Sequence, residues 1–194
     1  MMAKELILSS YQSFDDKKNL LLLGEWCLSK KNFKKKKEFN FSKPYGLEEK
    51  QIKDDFFFCE KLFNFFIEQL TNELNEIHKI NFSNKAWKIL LGPWLKRYIR
   101  LSYNRFKTLD AALSMHDINK LSIGNYMNYD FTTRDTDDLY TAAVLPEWDY
   151  FFLSRTLKYI DHKIENVEVL NLKQKHRFIS DSYKSKRKKS LVNR

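Results

Sequence analysis

The sequence predicts a helix-rich α/β fold, and three observations lead there. Leu20-Leu21-Leu22-Leu23, closed by Gly24, is a continuous apolar run suited to a strand buried on both faces, as in a parallel sheet. Residues 48–79 and 86–106 carry apolar side chains at helical spacing over many turns. Only four Gly and three Pro in 194 residues leave little material for tight turns.

In chain order, Leu6-Ile7-Leu8 is a short apolar run followed by the polar stretch Ser9-Ser10-Tyr11-Gln12-Ser13. The leucine strand comes next and ends in Gly24-Glu25-Trp26-Cys27. Ligands of open α/β sheets gather at the carboxyl ends of the strands, so Gly24, Glu25 and Trp26 are expected on a productive edge. The alternative is that Gly24 only turns the chain while Trp26 fills the core. Residues 29–47 are Lys-rich, lack apolar periodicity, contain Pro44 and Gly46, and read as a surface loop.

Residues 48–79 form the longest periodic segment. Phe56, Phe63, Phe66, Ile67, Leu70, Leu74 and Ile77 make its stripe, widened by Phe57, Phe58, Cys59 and Leu62. A stripe this wide predicts burial on more than one side. Asn81 to Asn84 breaks the pattern, with Ser83 placed to cap the next helix. That helix carries Trp87, Leu90, Leu91, Trp94, Leu95, Tyr98 and Leu101 on one face. Pro93 removes one backbone hydrogen bond and crowds the carbonyl of Ile89, giving one kinked helix or two that meet there. The two long segments are expected to pack as an antiparallel hairpin. Residues 109–121 read as a loop or short helix leading into an extended piece. Residues 147–160 form a further helix with Trp148, Phe151, Phe152, Leu157 and Ile160 inward, and Val167 to Leu170 a short strand.

The net charge of +10 is unevenly placed. Residues 29–43 hold seven Lys and one Glu, and residues 171–194 nine Lys or Arg and one Asp; removing this +6 and +8 leaves −4 for the rest. The body is mildly acidic with two basic appendages, which argues against a nucleic-acid-binding face. The chain reads as a domain over residues 1–173, with the Lys-rich loop 29–47, and a basic, disordered tail over 174–194. Cys27 and Cys59 form no CxxC pair, and no secretory signal or membrane-length apolar run is present, so a cytoplasmic protein is expected.

Motifs for chemistry are sparse. Asp135-Thr136-Asp137 has the Asp-x-Asp form that can hold a divalent metal against a diphosphate, or it caps a helix. His78, His116, His162 and His176 show no ligand spacing, and no GxGxxG, P-loop or GxSxG occurs. No cofactor and no resident metal is expected. Cys27 is read as a buried structural thiol, and Arg97 with Arg100 as a basic helix face able to meet phosphates.

Three pieces, Leu23-Gly24-Glu25-Trp26-Cys27, Trp87 to Leu95 with its Trp-x4-Gly-Pro-Trp pattern, and Pro146-Glu147-Trp148-Asp149, occur in an order that resembles a transferase family of bacterial O-antigen and surface-polysaccharide gene clusters. Where that family tends to have Asp-x-Trp-Asn-His, this chain has Glu147-Trp148-Asp149-Tyr150. The resemblance spans residues 15 to 165 but only the amino-terminal part of the family. It implies a partial Rossmann-like, acceptor-side lobe of a two-lobed glycosyltransferase, truncated and inactive alone. It also implies a nucleotide-sugar donor and a glycan or lipid-linked acceptor as partners once a carboxyl-terminal lobe completes it. On this reading Glu25 is the candidate catalytic base, and Gly24, Trp26 and Arg97 are candidate substrate-binding residues. The basic segments would give peripheral contact with the inner face of the membrane. The alternative from the residues alone is a non-catalytic helical interaction domain or split subunit packed on a partner chain.

Overall fold

A computed structural model describes residues 4–14, 19–128, 131–133 and 135–170. The chain divides into two compact units, Met1–Lys43 with Leu109–Arg194, and Pro44–Thr108.

The first unit is built on a five-stranded parallel sheet. Its strands are β1 (Lys4–Ile7), β2 (Leu20–Leu22), β3 (Asn40–Phe41), β4 (Ile118–Gly124) and β5 (Asn166–Leu170), in the order β3-β2-β1-β4-β5. Leu6 of β1 stands opposite Leu21 on one side and Leu121 on the other. The leucine run is a strand because both its faces are covered: Leu20, Leu21, Leu22 and Leu23 are all buried. The chain steps outward from β1 to β2 and β3, then returns to the far side of β1 for β4 and β5. That reversal makes the β1–β4 boundary the switch point of the sheet.

Helix α5 (Pro146–Thr156) starts with Pro at its first turn, where the missing N–H costs nothing. Every residue from Trp148 to Ser154 is buried, so it is a core helix with no solvent face. Trp148 stacks on Phe152 at 4.8 Å between ring centroids, and Phe131 meets both rings edge-on. Helix α4 (Thr136–Ala143) precedes it, capped by Asp135, whose carboxylate accepts the Asp138 N–H at 2.8 Å.

Two expectations for this unit are corrected. Residues 29–47 are more than a loop: they hold the short helix α1 (Lys30–Phe33), a 3₁₀ turn at Lys36–Glu38 and the edge strand β3. Pairing with β2, extended by the Ser42 N–H to Leu22 C=O bond at 2.8 Å, makes that strand; two residues carry no periodicity to announce it. Residues 109–121 contain no loop of any length. Helix α3 (Asn84–Met115) runs through them to Met115, because Leu109 and Ala112 continue its apolar phase and are fully buried, and β4 begins three residues later.

The second unit is a helical hairpin of α2 (Glu49–His78) and the greater part of α3. Lys79 takes the left-handed conformation (φ 54°) that ends α2. Asn75 then fixes the turn: its side chain exchanges two hydrogen bonds with the Phe82 backbone and accepts the Trp87 indole N–H at 2.9 Å. Ser83 Oγ accepts the Ala86 N–H, the expected cap. Pro93 lies inside one continuous helix. Cys59, Phe63, Ile67, Trp87, Leu95 and Ile99 form the seam between the helices. Beside it Glu60 accepts from Lys96 at 2.7 Å and Arg100 at 2.9 Å.

The wide phenylalanine stripe is the third correction. Phe63 is buried, but Phe57 and Phe65 are 62% and 57% exposed, and Phe56, Phe58, Phe66 and Ile77 are exposed as well. One facing helix covers only about a third of a helix surface, so side chains that widen the stripe fall outside the seam.

Candidate active site

The carboxyl ends of β1 and β2 carry the polar chemistry of the sheet unit. After Ile7 the chain turns through Leu8 to Gln12, and Gln12 fixes that turn. Its Oε1 accepts the Leu8 N–H at 2.7 Å and the Ser9 N–H at 3.3 Å, while its Nε2 donates to the Ser122 carbonyl of β4 at 3.2 Å. Ser9, itself buried, donates from Oγ to the Pro146 carbonyl at 2.6 Å. The loop leaving β1 is therefore tied to β4 and to the start of α5 across the switch point. Tyr11 packs against Tyr150 and Phe151, with ring centroids at 5.7 and 6.0 Å, and its hydroxyl points to Glu147 at 3.4 Å. Burial, then the Glu147 charge, raises its pKa.

Beneath α5, Ser154 Oγ accepts the Gly124 N–H at 3.0 Å and donates to the Tyr150 carbonyl at 2.7 Å. Gly124 itself is obligatory: a Cβ there would stand 2.5 Å from Phe151 and 3.0 Å from Tyr150, both wholly buried rings. The end of β4 is thus pressed directly against the aromatic face of α5.

After β2, Gly24 leads into a 3₁₀ turn over Glu25–Cys27. Gly24 is extended (φ −172°), a conformation open to any residue, so its reason lies elsewhere. The Trp26 indole folds back over it, and an added Cβ would lie 2.1 Å from the ring. Trp26 is 50% exposed, which removes the core-filling alternative and leaves a half-bare indole at the sheet edge. Glu25 is exposed and paired with the Lys36 ammonium. Cys27 is fully buried and donates to the Ile7 carbonyl at 3.3 Å. Burial pushes its thiol up to about 12, the nearby Asp149 charge adding to the rise, against hydrogen bonding at Gly24 and Leu23. A thiol so placed stays protonated and is no nucleophile.

Between the β1 loop and the segment after the 3₁₀ turn lies a cavity of about 470 Å³. Tyr11 and Phe14 form part of its wall, and Phe14 meets Phe39 edge-on at 5.9 Å. Its polar lining includes Ser10, Ser13, Ser29, Asn32, Lys31 and Lys35. The volume lies in the range of small-ligand sites. None of the residues found lining it is a carboxylate.

Of the four candidate residues, Gly24, Glu25 and Trp26 stand together at this edge. Arg97 belongs to the helical unit, on an exposed face of α3. The lining residues of the cavity were not singled out from sequence. The available signal was the polar run Ser9–Ser13 directly after an apolar one, the pattern of a strand end at a ligand edge. Asp135 serves as a helix cap, and among the described residues no group of three or more His, Cys, Asp or Glu is placed to hold a metal ion. His78 lies beside Trp87, His162 accepts a local backbone N–H, and burial lowers the pKa of His116. His176 and the tail lie outside the described residues. Among the described residues no helix is long and apolar enough to cross a membrane.

No curated protein and no solved structure matches the chain. A family model described as LIC12162 family transferase matches residues 4–194, covering both the sheet unit with its polar edge and the helical hairpin. The chain belongs to the LIC12162 family of transferases.

Proposed function

We propose that this transferase is the acceptor-side part of a glycosyltransferase that builds surface polysaccharide such as O-antigen. The observation that carries the reading is the parallel sheet with a preorganised, hydroxyl- and lysine-lined cavity at its carboxyl edge. In the reaction an acceptor hydroxyl oxygen bonds to the anomeric carbon of the donor sugar. The bond from that carbon to the donor phosphate breaks, the nucleoside diphosphate departs, and the hydroxyl proton passes to a base. Glu25 is the residue assigned to that base, with Trp26 offering its bare indole face to a sugar ring and Gly24 holding that ring by lacking a side chain. Arg97 is assigned to phosphate contact. The donor is held by protein beyond this sheet unit, and the basic segments bring the enzyme to the inner face of the membrane.

The test is replacement of the chromosomal codon to give Glu25→Gln, with the surface polysaccharide read by gel and mass spectrometry. Loss of a sugar addition, with the protein still folded by circular dichroism, is the expected result. Unchanged polysaccharide overturns the assignment of Glu25. A second reading, a non-catalytic subunit packed on a partner chain, is favoured by the exposure of Phe57 and Phe65 on α2. It predicts that Phe57→Ser with Phe65→Ser abolishes polysaccharide assembly while Glu25→Gln leaves it intact.

A further inference from the structure

We infer that the cavity between the β1 loop and residues 27–35 is a subsite for a phosphorylated sugar, gripping the phosphate with Lys31 and Lys35 and the ring against Tyr11 and Phe14. The inference rests on the reading of this edge as the substrate side and adds what the site selects.

Three features of the cavity point to that chemistry. Two of its lining side chains are ammonium groups, and no carboxylate was found in its lining. The nearest acidic residue in the chain, Glu25, is engaged by Lys36, a third lysine that does not line the cavity. An anion entering here meets cations whose attraction is not cancelled from within the pocket. The second feature is the hydroxyl and amide lining of Ser10, Ser13, Ser29 and Asn32, which suits phosphate oxygens and ring hydroxyls equally. The third is rigidity. Gln12 and Ser9 lock the β1 side of the wall through bonds to Leu8, Ser122 and Pro146. On the other side Ser29 Oγ accepts the Asn32 N–H. Tyr11 is braced by Tyr150 and Phe151, so the aromatic part of the wall is held in place before any ligand arrives.

A neutral sugar would leave the two lysines without a counterpart, and a bare inorganic anion would leave the aromatic wall unused. A ligand carrying both a ring and a phosphate uses the whole lining. In the volume of about 470 Å³ there is room for one such unit.

The experiment titrates the full chain with glucose 1-phosphate, methyl glucoside, inorganic phosphate and uridine diphosphate at low salt. Calorimetry gives the affinity, and backbone amide shifts at Ser10, Ser13 and Asn32 locate it. Glucose 1-phosphate is expected to bind most tightly, to shift those amides, and to weaken by about tenfold or more in Lys31→Ala with Lys35→Ala. Lys37→Ala with Lys43→Ala, outside the cavity, should leave binding unchanged. Equal loss in both double variants would mean diffuse attraction to a basic segment and overturns the inference. So does equal affinity for inorganic phosphate and the sugar phosphate, or binding of uridine diphosphate alone, which assigns the cavity to a nucleotide. The two readings fail separately. Binding that needs Lys31 and Lys35 in a protein whose Glu25→Gln variant still makes normal polysaccharide refutes the proposed base and keeps the subsite. Loss of polysaccharide in Glu25→Gln with no sugar-phosphate binding does the reverse.

Discussion

Replacing Gly24 with Ala tests how the half-bare indole at the sheet edge is held. The new methyl would lie 2.1 to 2.4 Å from three carbons of the Trp26 ring. Carbon atoms pack at about 3.5 Å or more, so the ring must retreat by roughly 1.4 Å. It is free to do so, because half of it already faces solvent. What is lost is the covered half. A tryptophan buries about 200 Å², so about 100 Å² is re-exposed, worth about 2.5 kcal/mol at about 25 cal/mol per Å². The extended backbone of Gly24 accepts alanine without strain, and the stiffer unfolded chain returns about 0.5 kcal/mol. The expected net loss is about 2 kcal/mol in urea unfolding, with a red-shifted Trp26 emission. A double-mutant cycle with Trp26→Ala decides the cause. In the Trp26→Ala background, Gly24→Ala should be neutral or slightly stabilising. An undiminished loss in that background would refute the idea that the indole is what forbids a side chain here.

Other outcomes follow from the same structure. Gly124→Ala drives a methyl into two wholly buried rings that cannot swing away, so it should cost about 1–3 kcal/mol of overpacking, read as a lower urea midpoint with an unchanged slope. Glu60 has its pKa lowered, first by the Lys96 hydrogen bond and also by Arg100. A depressed carboxylate stabilises the fold above its unfolded pKa of about 4.5 and loses that contribution as pH falls through the lower folded value. Because the group is partly exposed, Glu60→Gln should cost only about 0.5–1 kcal/mol at neutral pH, and the difference from wild type should vanish in acid. Cys27 and Cys59 are both buried, and burial raises both thiols. They should react with an aromatic disulfide reagent at pH 8 only as fast as the protein opens, and at once in denaturant; prompt reaction of Cys27 in the native protein would return it to the list of nucleophiles.

What the sequence determined by itself is what neighbouring residues decide between them. Four leucines in a row need cover on both faces, whatever supplies it, and they form the second strand of a parallel sheet. Helical spacing from Phe63 to Ile67 and from Trp87 to Ile99 set two long helices and the seam that joins them. Pro146 marked the start of a core helix, and Ser83 its own cap. Tertiary structure decided the rest, because the deciding partners are far apart in the chain. No local pattern says that a two-residue strand at Asn40 will pair with Leu21, or that Gln12 will reach Ser122. A stripe of phenylalanines states that much apolar surface exists, but only the partner helix selects Phe63 over Phe57 and Phe65. The cavity is the clearest case. Its walls come from residues 10–14 and 27–35, two polar stretches with no periodicity, and they become one site only because parallel strands β1 and β2 end side by side.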